Sequence, residues 1–219
     1  MPLVVGFDLD LTLVDSRPGI AAVYRALSAE TSVFIDADAA VTRLGPPLDE
    51  ELARWFPEAH VAPMADRFRA LYPSHAVAAS PALPGVRESI SAVRARSGRV
   101  IVITGKYAPN ARLHLNHLDL VVDEVVGWAW AETKTTALLE HGVGVYVGDH
   151  PADMRAAVAG GAAAVGVTTG DWGPDDLTSA GADIVLADLR DFPAWLNDYA
   201  ASLRGRHAGS RLGTSAEGR

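Results

Sequence analysis

The chain has 219 residues, 49% hydrophobic and 21% charged, with a net charge of −8 and no cysteine. That length and balance allow one sizeable core, or a core with a smaller insert, without covalent staples. Disulfides, thiolate catalysis and thiolate metal sites are excluded, and the acidic balance argues against an extended nucleic-acid or anionic-membrane surface. A small basic or metal-lined pocket for a phosphorylated ligand is compatible with both.

From the amino end, Met1 to Phe7 lacks the basic region and long apolar stretch of a signal peptide. The small-apolar run Ala156 to Val167 contains Gly160 and Gly161 and is too short to cross a bilayer. A soluble, cytoplasmic protein is expected. Leu3 to Asp10 reads as a buried parallel strand running into acids. From about Pro18 to Ser80 no strand run occurs. Ile20–Ala29, Ala37–Leu44, Leu48–Phe56 and Ala62–Tyr72 read as amphipathic helices, with Asp49-Glu50-Glu51 suited to a helix first turn.

After the linker Ser80 to Gly85, strands and helices alternate. The strands are Arg99–Thr104, Leu120–Val126, Gly144–Asp149, Ala163–Thr168 and Asp183–Leu186. The helices are Gly85–Arg96, Asn110–Leu118, Lys134–His141 and Pro151–Gly160. This alternation predicts an α/β fold with a doubly wound parallel sheet. The expected organisation is a core of residues 1–15 and 82–202, a helical insert of 16–81, and a disordered tail of 203–219.

Asp8 and Asp10 end the first apolar run, and period-two geometry puts both side chains on one side. Two carboxylates that close need a neutralising cation, and a hard cation such as Mg²⁺ prefers oxygen ligands. A carboxylate can also attack phosphorus. An exposed acidic turn is the plain alternative, which an apolar strand running straight into both acids disfavours. Asp149 ends another apolar run, Pro151 suits a first helical position, and Asp153 follows as a further carboxylate. Thr104 with the free amide of Gly105 can grip a phosphate oxygen. Lys134 precedes a helix and could neutralise a phosphoryl group; taken alone, it is more simply a solvated lysine. Trp128 and Trp130 read as packing or lid residues. The histidines show no metal-ligand spacing.

The order of these motifs resembles the haloacid dehalogenase (HAD) superfamily, in its phosphoglycolate phosphatase-like branch with a helical cap after the first strand. The residues carrying the resemblance are Asp8-Leu9-Asp10-Leu11-Thr12 with Leu13-Val14-Asp15-Ser16, then Val102-Ile103-Thr104, Lys134, and Gly148-Asp149 with Asp153. The resemblance implies a Rossmann-like core and a Mg²⁺-dependent phosphatase of small, phosphoglycolate-like phosphomonoesters. Asp8 would be the nucleophile and Asp10 the acid/base group. Mg²⁺ would be held by Asp8, the Asp10 carbonyl and Asp149, with Asp153 in support. Thr104 and Gly105 would hold phosphoryl oxygens, and Lys134 would pair with nucleophile and phosphate.

In the insert, Arg43 and Gly45 resemble the cap loop facing the site and are candidate substrate contacts; a helix–helix turn with a surface arginine is the competing reading. Leu11 stands where the family usually has Gly, Thr135 where proline is frequent, and Thr104-Gly105-Lys106 replaces Thr-Asn-Lys. The implied partner is a small phosphorylated metabolite, with no nucleic acid and no membrane, acting on a monomer or homodimer. A phosphosugar mutase, a phosphonatase and a catalytically weak regulatory protein share this core as alternatives.

Overall fold

The computed structural model describes residues 3–212 along the backbone and 3–203 in their side chains. Six short strands form one sheet: β1 (Val4–Phe7), β2 (Arg99–Ile103), β3 (Glu124–Val126), β4 (Val145–Gly148), β5 (Ala163–Val167) and β6 (Ile184–Leu186). All pairings are parallel, in the order β3-β2-β1-β4-β5-β6. The central strands are runs of Val, Ile and small residues because helices bury both of their faces.

On one face Phe7, Val102 and Val147 pack with α5 (Val86–Arg94), α6 (Ala108–His117) and α10 (Phe192–Leu212). On the other, Ile101, Ile103 and Tyr146 pack with α7 (Glu132–Glu140), α8 (Pro151–Ala159) and α9 (Pro174–Ser179). The expected doubly wound α/β sheet is therefore present.

The helical insert has an apolar core of its own. It comprises α1 (Arg17–Thr31), α2 (Ala37–Ala40) leading into a 3₁₀ turn at Val41–Arg43, α3 (Leu48–Leu52) and α4 (Glu58–His75). The two crossings between insert and sheet run side by side. Asp15 N–H donates to the Pro81 carbonyl (2.9 Å) and Leu83 N–H to that of Leu13 (3.0 Å).

Three local readings change. The expected strand Leu120–Val126 shrinks to β3, because Leu120 N–H turns back onto the Leu115 carbonyl and closes the end of α6. Helix α9 was absent from the strand–helix reading, although Gly173-Pro174-Asp175-Asp176 carries a helix start. Helix α10 continues past position 203 to Leu212, where a loose tail was expected; Ala, Leu and Arg are good helix formers once the packed turns around Leu196 have paid for nucleation. The rest of that expected tail, 213–219, lies outside the described residues. No helix among the described residues is long and apolar enough to cross a membrane.

Candidate active site

The strand order reverses between β1 and β4, and the crevice beyond the carboxyl ends of such a pair is where open α/β sheets place ligands. Asp8 leaves β1 here and Asp149 leaves β4, so two acids 141 positions apart in sequence become neighbours. The turn after β1 is closed by the Leu13 and Val14 amides on the Leu9 carbonyl (2.9 and 3.0 Å) and the Leu11 amide on that of Val14 (2.8 Å). Leu11 has φ +58°, the left-handed region that glycine adopts freely. The residue that departs from the family thus keeps the glycine-type backbone, and its buried side chain joins the cleft wall.

Lys134, in the first turn of α7, is only 1% exposed and lies beneath Asp8. Its Nζ is 3.3 Å from Asp8 Oδ2 and 2.5 Å from Asp153 Oδ1. Burial works against the ammonium, but the two carboxylates outweigh it and hold Lys134 charged, well above its ordinary pKa. Asp153 opens α8 and its Oδ2 accepts from the His150 amide (3.1 Å). Gly148 is required by that contact: a Cβ there would lie 2.4 Å from Asp153 Oδ2. Asp149 accepts from the Thr12 hydroxyl (3.1 Å).

The carboxylates of Asp8, Asp149 and Asp153 offer oxygens all within 4.8 Å of one another, and all three are buried. Burial, partly offset by Lys134, pushes the Asp8 carboxyl up to about 6, with Asp153 and Asp10 adding to the rise. Burial also pushes Asp149 well above the usual carboxylate range, reinforced by Asp153 and Asp8. One lysine does not balance this much negative charge. Buried carboxylate oxygens in surplus are the donor set a hard cation takes, so the cluster can hold a metal ion.

Asp10 lies one turn further out, with Lys106 Nζ 3.1 Å from its Oδ1. Lys106 also donates to the Tyr72 hydroxyl (2.7 Å), which is 2.8 Å from His114 Nε2. This chain of polar groups joins α4 of the insert to α6 of the sheet domain. Thr104 is buried at the end of β2, and its hydroxyl accepts from the Lys106 amide (3.2 Å).

A family model, the haloacid dehalogenase-like hydrolase, matches residues 5–167. The chain belongs to that family. This hydrolase is 32% identical to the phosphoglycolate phosphatase of Rhodospirillum rubrum, over 90% of this chain and 91% of that one. A haloacid dehalogenase-like hydrolase of Streptococcus pneumoniae shares the fold, with a TM-score of 0.77 at 21% identity over 89% of this chain and 98% of that one. So does a Bacteroides vulgatus chain described as a candidate β-phosphoglucomutase, with a TM-score of 0.70 at 18% identity over 92% and 90%.

Nearly all the residues singled out in the sequence of this hydrolase come together. Asp8, Asp10, Thr104, Gly105, Arg43, Gly45 and Asp149 line one cleft, with Lys134 and Asp153 under its floor. Gly45, at φ +132°, is pressed against the sheet domain: a Cβ would meet His150 at 3.0 Å and Trp130 at 3.2 Å. Arg43 is not a free surface arginine, because Glu51 holds it through two hydrogen bonds of 3.0 and 2.6 Å. Sequence reasoning missed Lys106, Tyr72 and the hydroxyl of Thr12. Thr12 and Lys106 stood within or beside quoted motifs, so a signal existed. Tyr72 carried none, because only the docking of the insert brings it to the site.

Proposed function

We propose that this chain is a Mg²⁺-dependent phosphatase that hydrolyses small phosphomonoesters through an aspartyl-phosphate on Asp8. The observation that carries this reading is the Asp8 carboxylate. It stands 3.3 Å from the buried Lys134 ammonium, beside Asp149, at the floor of an open cleft. Lys134 holds Asp8 ionised and adds positive charge where the phosphoryl group arrives. Thr104 and the Gly105 amide would orient its oxygens, and in-line positioning with charge neutralisation is what phosphoryl transfer needs.

Asp10 would give its proton to the leaving alkoxide and then take one from the water that cleaves the aspartyl-phosphate. Asp8, Asp149 and the Asp10 carbonyl would hold Mg²⁺, with Asp153 anchoring Lys134. The ion would supply charge neutralisation between nucleophile and phosphate. Phosphoglycolate, the substrate named in the Rhodospirillum rubrum relative, is the reference ester.

The test is phosphate release from p-nitrophenyl phosphate. With Mg²⁺ the rate should be saturable; Asp8→Asn should lower kcat by about 10⁴–10⁶-fold, the range that loss of one member of a catalytic unit shows elsewhere, and EDTA should abolish turnover. Full activity in either case would sink the mechanism. One phosphate released per ester consumed separates hydrolysis from mutase transfer.

A further inference from the structure

Beyond its phosphoryl end, the cleft is walled by rings. The insert contributes Tyr24 and Phe68, with centroids 4.8 Å apart, and the sheet domain contributes Tyr107 and Trp128, 5.3 Å apart. Trp130 stands beside His150 at 5.2 Å on the same lining. Trp128 has φ +59°, a costly backbone for a bulky residue, and keeps 53% of its surface exposed. Its loop is pinned by Thr133, whose hydroxyl accepts from the Trp130 amide (2.9 Å) and donates to the Trp130 carbonyl (2.8 Å). The backbone is thus held in an unfavourable conformation that sets a large ring at the mouth of the cleft.

The charges of the lining are already matched. Among the described residues, Arg43, Arg69 and Lys106 are its arginine and lysine side chains. Arg43 is bound to Glu51, whose side chain is 12% exposed. Arg69 pairs with Asp49 (3.4 Å) and Asp66 (3.1 Å) and lies 4.6 Å over the Trp128 ring. Lys106 is shared between Asp10 and Tyr72. His150 Nδ1 is already occupied, accepting the Ala152 amide (2.9 Å). A leaving group bearing a carboxylate would share these cations with the acids already on them, Glu51, Asp49, Asp66 and Asp10, and so lose part of their attraction. An uncharged ring would lose nothing of the kind and would gain ring–ring contact.

We propose that the alcohol this enzyme releases carries an uncharged aromatic or bulky apolar group, bound between Tyr107–Trp128 and Tyr24–Phe68. The proposal rests on the phosphatase reading above and narrows its substrate class away from phosphoglycolate. The reaction is ordinary ester hydrolysis in two steps: Asp8 attacks phosphorus as the P–O bond to the alcohol breaks and the alkoxide leaves with a proton from Asp10, and water then cleaves the aspartyl-phosphate to release phosphate and restore Asp8.

Three alkyl phosphates test it: benzyl phosphate, ethyl phosphate and phosphoglycolate, each with Mg²⁺ at one pH. Benzyl phosphate should have the highest kcat/KM, about tenfold or more above phosphoglycolate, the scale of one ring contact between buried and exposed states. Trp128→Ala should lower kcat/KM for benzyl phosphate about tenfold, mainly through KM, and for ethyl phosphate far less; Trp128→Phe should recover most of the loss. Phosphoglycolate matching or exceeding benzyl phosphate, or an equal loss on both esters in Trp128→Ala, would overturn the proposal and leave the phosphatase reading intact. If no ester is hydrolysed, the phosphatase reading fails instead. Tryptophan fluorescence then decides the pocket question: tighter binding of benzylphosphonate than of phosphonoacetate supports it, and the reverse or equality overturns it.

Discussion

The sheet domain and the helical insert face each other across one cleft and handle charge in opposite ways. On the sheet side, Asp8, Asp149 and Asp153 share a single ammonium, Lys134, and burial pushes the first two carboxyls upward. On the insert side, Arg43 is neutralised by Glu51 and Arg69 by Asp49 and Asp66, and the remaining wall is aliphatic and aromatic. The sheet side is electrostatically unfinished, as a site that meets a cation and a phosphoryl group must be. The insert side is finished and offers shape and apolar surface. On the reading proposed above, the chemistry falls to the carboxylates of the sheet domain, and selection to the rings that the insert and the sheet domain together place around the cleft.

The sharpest way to break this contrast is to remove the one cation under the carboxylates. Lys134→Met should lower kcat by about 10²–10³-fold and cost about 3–5 kcal/mol of stability, because Asp8 and Asp153 lose their buried counter-charge. Urea unfolding and p-nitrophenyl phosphate kinetics read both. Stability unchanged from the parent would mean that Lys134 does not balance the cluster.

A smaller effect is expected where the two sides meet at Leu11. Leu11→Gly relieves a left-handed backbone, a gain of about 1–2 kcal/mol, but removes a buried leucine, a loss of about 2–5 kcal/mol. The net expectation is a loss of about 2 kcal/mol in thermal or urea unfolding. A more stable variant would show that backbone strain, not burial, dominates this turn.

The smallest effect lies at the seam, in His114. Burial, with Lys106 and His117 assisting and Asp10 opposing, lowers its pKa from 6.5 to about 4. Between those values the unfolded chain holds the proton that the folded chain refuses. The contribution is therefore intact above pH 6.5 and lost as pH falls towards 4, about 1 kcal/mol of it between pH 7 and 5.5. Asp8, pushed up to about 6, acts in the opposite sense, so the comparison is with the parent at each pH. His114→Gln should flatten the acid loss of stability relative to the parent; identical pH profiles would remove His114 from the seam's energetics.

Much of this protein was legible in the chain. Apolar runs such as Arg99–Thr104 and Gly144–Asp149 form strands because a parallel strand buried on both faces needs unbroken apolar sequence. The acids at their ends fall at the site because a parallel sheet gathers all of its carboxyl ends on one edge. The period of the insert's helices was readable for the same local reason. Leu120–Val126 misled, since an apolar run does not reveal that Leu120 closes a helix.

What only the tertiary structure decided is the pairing of side chains around the cleft. Lys106 could not be matched to Asp10, nor Arg43 to a side chain eight positions on rather than to solvent, because those partnerships depend on tertiary packing within each domain, and the Lys106–Tyr72 pair depends in addition on how the insert docks. The sequence by itself determined the sheet, the insert and the acids that end the strands, since each follows from local pattern and strand direction. Tertiary packing alone decided which charges stay unmatched and which rings line the cleft, because both depend on distances between segments far apart in the chain.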